Sequence, residues 1–296
     1  MKVTNPRQQK LLLRRRAEGK KLNRIKFPRD KRKAAIVVCL FLWTDFLNSG
    51  FARIPDTDKQ WTFDAQTQKA YDQVLNLELE AAHLSIPSPE TSQEHYVIGL
   101  AEALELLITE DGEKYVEYED HFNQRLERKT KTNIPDDLFL QAEIRMHWAF
   151  VYLKFGHEFD AALNLRQSYL TIKSIQEKFP HYHAVKKTSG LLEVVIGSVP
   201  QKYSWVLALL NMDGTTQAGI KQLEAIRDTR NPFAYEAEMF LSLIEGFLLQ
   251  RPDEGVRGIQ KMLKANPKNR LALFLGGALY KKNGQGEEAL FMLDNL

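Results

Sequence analysis

The chain reads as an all-α protein, an α-solenoid of helix-turn-helix repeats with about 12 helices. Three observations predict it. Apolar residues recur at helical spacing through almost all of residues 63–296. Apolar–polar alternation of strand length occurs nowhere. The helical stretches are cut at short intervals by glycine and proline, and Asn231-Pro232 recurs 35 residues later as Asn266-Pro267.

Taken in order, the first 52 residues stand apart. Residues 1–33 hold 14 Lys+Arg and 2 acidic residues. Ala34 to Trp43 is an uncharged apolar run of ten, too short to cross a bilayer, which needs about 20. With Gly50 and Ala52 placed for cleavage after Ala52, the segment is expected to be a signal peptide with a long basic head. The protein is then exported to the periplasm or cell envelope of a Gram-negative bacterium; the alternative is a membrane anchor over residues 34–47. Cys39, the only cysteine, lies inside the apolar run, so the mature chain would hold neither disulfide nor thiol. Residues 53–296 carry 27 Lys+Arg against 35 Asp+Glu, so the folded part is acidic and nucleic acid is excluded as the expected partner.

An N-terminal helical region is expected over residues 53–135. Its first helix runs from Phe63 through Tyr71, Val74 and Leu79 to Ala82, and Pro87 and Pro89 end it. Thr91 and Glu94 form a capping box for the second, and Asp111 caps the third. The loop-like stretch 127–133 follows, and Asp136 or Asp137 is expected to cap the next helix.

Residues 136–296 then read as paired helices. Met146, Ala149, Phe150 and Leu153 share one face, Gly156 turns the chain, and a second helix runs to Phe179-Pro180. A helix over 184–197 is broken at Pro200 and resumes over 203–210, and Thr215 or Thr216 caps Gln217–Arg227. Asn231-Pro232 opens a helix carrying Phe240, Leu243, Ile244 and Phe247, and Pro252 starts its partner. The last face, Ala289, Leu290, Leu293 and Leu296, lacks a polar capping helix, so the array is expected to be truncated at its C-terminal end or covered by a partner. Trp148 and Trp205 sit among apolar helical neighbours and are expected to be buried.

Tyr152, Gly156 and Ala161 occupy the tyrosine, turn and small-residue positions of a tetratricopeptide repeat. With Pro267 at the terminal proline of one repeat, Gly277, Tyr280, Gly284 and Ala289 fall on the signature positions of the next. On these residues the chain resembles tetratricopeptide-repeat proteins. Gly190, Ser198, Pro200, Leu210, Gly214 and Gly219 make it similar to exported bacterial members of unknown function. That likeness extends over most of residues 62–296. Over 190–296 it more distantly resembles the mitochondrial outer-membrane family linked to inclusion-body clearance. The resemblance implies a concave groove lined by the first helix of each repeat. Met146, Phe150 and Leu153 would lie there, with Phe240, Ile244 and Phe247, and with Leu271, Phe274 and Ala278.

No phosphate loop and no activated nucleophile stands in a motif, and no catalytic, metal or cofactor site is expected. His181 and His183 with His157 fall short of a zinc ligand set. The expected function is a non-enzymatic interaction or scaffold protein. It binds a protein, a peptide or an apolar ligand in the groove and has an association with the envelope membrane as a further expectation. The alternatives are a helical hydrolase or lyase using His147 or the His181/His183 pair, and a structural module of a longer chain. Sequencing the N-terminus of protein purified from its native host is expected to read from Arg53, and an intact Met1 on soluble cytoplasmic protein would refute export.

Overall fold

The computed structural model describes residues 60–128, 134–201, 207 and 211–296. The expectations for the signal segment, the membrane anchor and Trp205 concern residues outside these. The described residues form twelve α-helices and no strand. No described helix is long and apolar enough to cross a membrane.

Helix α1 (Ala65–Leu75) starts at Asp64, whose carboxylate accepts from the Thr67 amide at 2.8 Å. The single first helix expected from Phe63 to Ala82 is two. The chain turns at Leu77, in the left-handed region at φ 57°, and α2 (Leu79–Ser85) follows. The cause is tertiary: Asn269 donates to the Leu75 carbonyl at 3.0 Å, and the Arg270 amide donates to the Asn76 side chain at 3.1 Å. A distant segment thus satisfies the carbonyl end of α1 and makes the break stable.

Helix α3 (Ser92–Thr109) opens on the expected capping box. Thr91 Oγ1 accepts from the Glu94 amide, and Glu94 accepts from the Thr91 amide at 2.8 Å. Asp111 caps α4 (Gly112–Glu127) through the Glu113 and Lys114 amides. Buried Glu102 joins these helices, accepting from Arg125 Nη1 and Nη2 and pairing with His121 Nδ1. Helix α5 (Pro135–Lys154) corrects one expectation, because neither Asp136 nor Asp137 caps it. Pro135 holds the first position, where the missing N–H costs nothing, and both aspartates lie in the first turn. Asp136 instead accepts from Gln93 and Tyr182, and Asp137 from Ser92.

Gly156, at φ 78°, turns α5 into α6 (Glu158–Lys178), a conformation that a side chain would strain. After the Phe179-Pro180 stop come α7 (Val185–Gly197) and α8 (Thr216–Arg227), the latter capped by Thr215. These two cross at Gly190 and Gly219, where a Cβ on Gly219 would strike the Gly190 carbonyl. Helix α9 (Ala234–Leu243) runs into a π-helical turn, Ile244–Leu248, and α10 (Pro252–Ala265), α11 (Arg270–Lys282) and α12 (Gly286–Asp294) complete the order.

From α5 onward each helix packs on the next, and α5 also touches α3 and α7. One hydrophobic core runs from Trp61 to Met292. Across it lie the residues just before α1: the Trp61 ring meets Phe139 at 5.1 Å and Tyr96 at 5.6 Å, and Phe63 meets Tyr71 at 4.8 Å. Trp148, 1% exposed, stacks on Phe122 at 4.8 Å and meets Tyr152 edge-on at 5.4 Å. Trp148→Ala removes this three-ring contact. It is expected to cost about 3–5 kcal/mol in urea unfolding, and an unchanged midpoint would contradict the packing.

Candidate functional site

Four helices each turn one face toward a shared pocket. Helix α3 presents Leu100, Ala103, Leu104 and Leu107, and α5 presents Glu143, Met146, His147 and Phe150. Both sets follow the i, i+3, i+4, i+7 spacing of one helical stripe. Lys187, Thr188 and Leu191 come from α7, and Glu236, Met239 and Phe240 from α9, with Leu75 and Leu271 at the margin. The pocket measures about 100 Å³. Most of its wall is aliphatic or aromatic, and its charged residues belong to one hydrogen-bonded cluster.

That cluster is built on Lys187. Its ammonium lies 2.5 Å from Glu143 Oε2, 3.0 Å from Glu236 Oε2 and 2.9 Å from the Tyr96 hydroxyl. These three partners match its three donors. The Tyr71 and Tyr96 hydroxyls donate to Glu236 Oε1 at 2.5 and 2.6 Å. The ammonium also lies 4.5 Å from the centre of the Phe233 ring, within cation–π range. Lys187, Glu143 and Glu236 are each at most 2% exposed. Glu143 Oε1, Thr188 Oγ1 and His147 Nδ1, by contrast, are buried without a hydrogen-bond partner.

The two carboxyls respond differently to burial. Burial pushes Glu143 up to about 7, with Glu236 adding to the rise and Lys187 opposing it. Burial acts on Glu236 too, yet Lys187 and the two tyrosine hydroxyls hold it below the usual carboxylate range. Burial would lower Lys187, but its two carboxylates outweigh that and raise it. His147 Nε2 lies 3.7 Å from Glu143 Oε2. Burial, with Lys187 beside it, depresses the imidazole to about 3, so it is neutral at neutral pH.

Of the nine groove residues expected from the sequence, Met146, Phe150, Phe240 and Leu271 line this pocket, whereas Phe274 and Ala278 are exposed. Ile244 is buried in the π-helical turn and is not part of the wall. Leu153 and Phe247 are exposed, at 54% and 42%. His147 lies on the wall, whereas His181 and His183 sit on an exposed turn braced by Gln60, which bonds the His181 carbonyl and the His183 amide. Among the described residues no group of three or more His, Cys, Asp or Glu is placed to hold a metal ion.

Sequence reasoning missed Glu143, Lys187 and Glu236. Their signal was a charge set on an apolar stripe: Glu143 one turn before Met146 and His147, Lys187 one turn before Leu191, and Glu236 one turn before Met239 and Phe240. Comparison of the chain with protein-family models, curated proteins and solved structures found no match.

The raised carboxyl has a consequence for stability. Glu143 keeps its proton in the folded chain up to about pH 7, whereas an ordinary glutamate releases it near 4.5. Its contribution is therefore complete below about pH 4.5 and is lost as pH rises through about 7. Glu143→Gln removes this titration. Across that window the stability of the native chain relative to the variant should fall by on the order of 1.4 kcal/mol per pH unit. Urea unfolding of both proteins measures it, and parallel curves would show that Glu143 titrates normally.

Proposed function

We propose that this protein is a non-enzymatic binding protein of the tetratricopeptide type, exported to the cell envelope, whose interior pocket takes an apolar ligand. The observation that carries this reading is the convergence of four helical stripes on one pocket with a largely apolar wall. The repeat reading draws support from the order of packing, with α5 on α6, α7 on α8, α9 on α10 and α11 on α12, and from the left-handed glycines Gly156 and Gly284 in the first and last of these pairs. Export rests on the basic head, the apolar run and the small residues before Arg53. At about 100 Å³ the pocket admits a group near the size of one aromatic ring, so a polypeptide would enter it by a single side chain.

A second reading, a hydrolase or lyase, gains from the meeting of His147 and Glu143 on one wall. An imidazole depressed to about 3 is a poor base at neutral pH, however, and the Thr188 hydroxyl has no hydrogen-bonded base to activate it. Binding accounts for more of the geometry.

Ala103 on α3 is buried at the pocket wall, and Ala103→Leu would extend a side chain into the space. If the pocket is a ligand site, the variant is expected to lose binding of an aromatic probe such as benzyl alcohol while its thermal stability holds or rises, as cavity filling does elsewhere. A fall in stability of about 1–3 kcal/mol with probe binding intact would mark overpacking of an ordinary core and refute the reading.

A further inference from the structure

We propose that the pocket takes a small apolar molecule carrying a protonated amine, whose ammonium seats against Glu143 Oε1. The inference rests on the binding reading above and names the ligand class. Its first ground is charge. One ammonium, Lys187, faces two carboxylates, Glu143 and Glu236, and all three are almost completely buried. A buried cluster of this kind lacks one positive charge, and an unmatched charge is costly away from water. A proton on Glu143 can supply it, and a ligand ammonium can displace that proton.

The second ground is the set of unpartnered atoms. Both oxygens of Glu236 are satisfied, and Glu143 Oε2 is held by Lys187. Glu143 Oε1 lacks a partner on a side chain that is 1% exposed and lines the pocket. His147 Nδ1 and Thr188 Oγ1, on the same wall, also lack partners. A carboxylate, a neutral imidazole and a hydroxyl can all accept hydrogen bonds, and an ammonium offers three donors and no acceptor. A ligand carboxylate would add a second unmatched negative charge, and an alcohol would leave the first uncorrected. Leu104, Leu107, Phe150 and Phe240 enclose the apolar part of the ligand.

Proton exchange in this cluster falls to Glu143. The groups that act on it are Lys187 from α7, Glu236 from α9, His147 from its own helix, Tyr96 from α3, Tyr71 from α1 and Tyr182 from the turn before α7. Burial raises all three phenols, so they stay protonated, and His147 stays neutral. Amine affinity should therefore rise about tenfold per pH unit toward about pH 7 and level off above it.

Calorimetric titration of the native chain with benzylamine, benzyl alcohol and benzoate tests this, because the three differ little except in head group. Benzylamine is expected to bind best and to strengthen by at least about tenfold between about pH 5.5 and pH 7.5. Glu143→Gln is expected to abolish the preference for amine over alcohol. The pH comparison uses the native chain and stands whether or not that variant folds. A tripeptide with an N-terminal phenylalanine carries the same chemistry on a chain end. Its binding beside benzylamine extends the class to chain termini, and its failure beside benzylamine confines the class to free amines. Benzyl alcohol binding as tightly as benzylamine, or amine binding indifferent to pH, overturns the amine assignment and leaves the pocket as an apolar site. Failure of benzylamine, benzyl alcohol and benzoate alike overturns the binding reading itself.

Discussion

The contact of Lys187 with Glu143, Glu236 and Tyr96 is the constraint on which the interior of this protein depends. Its four side chains come from α7, α5, α9 and α3, the helices that surround the pocket. A buried ion cluster is a poor source of net stability, since desolvation offsets the attraction, but removing one partner typically costs about 3–5 kcal/mol. The cluster thus acts more on geometry than on total stability. Each helix can shift or rotate only as far as the Lys187 hydrogen bonds permit. The tyrosine hydroxyls complete the arrangement by occupying Glu236 Oε1, which would otherwise be a buried acceptor without a donor.

Aromatic packing makes the cluster dry. Trp61 and Phe63 lie before the first helix, and their rings contact Tyr96 and Phe233, two of the groups around the Lys187 ammonium. Trp61 and Phe63 therefore shield the charges from water and strengthen the electrostatic interactions among them. Asn269, at the start of α11, bonds to the end of α1 and ties that helix to the C-terminal helices. Low dielectric explains why two carboxyls on one ammonium diverge. Glu236 has three hydrogen bonds favouring its charge, from Tyr71, Tyr96 and Lys187, whereas Glu143 has Lys187 alone and is left with an unsatisfied oxygen. The proposed amine binding at Glu143 rests on that asymmetry.

How much of the site could be read beforehand depended on how each residue signals its position. Met146, Phe150 and Phe240 were legible because large apolar residues at helical spacing mark an inward stripe. Leu153 continues the same spacing but lies in the last turn of α5, where the wall has ended. Phe247 lies within the π-helical turn, whose extra residue rotates the chain away from the regular α-helical register. Glu143, Lys187 and Glu236 were passed over because a charge within a helix is ordinarily a solvated one. Only their position on apolar stripes separates them from the many charges on the outer faces.

What the sequence by itself determined is local: an all-helical chain, the turns at Gly156 and Gly284, and the caps at Thr91, Asp111 and Thr215. These follow from backbone sterics and from hydrogen bonds between residues a few positions apart, so neighbours in sequence suffice to specify them. The tertiary structure alone decided the break after α1 at Leu77, the pairing of Asp136 and Asp137 with Gln93, Tyr182 and Ser92, and the meeting of Lys187 with two carboxylates. Each of these joins residues far apart in the chain, by 194 positions for Asn269 and Leu75 and by 44 and 49 for Lys187 with Glu143 and Glu236. Periodicity gives the face of a helix but not which other face it meets. A pairing between distant faces is settled by packing and by the need of every buried charge for a partner.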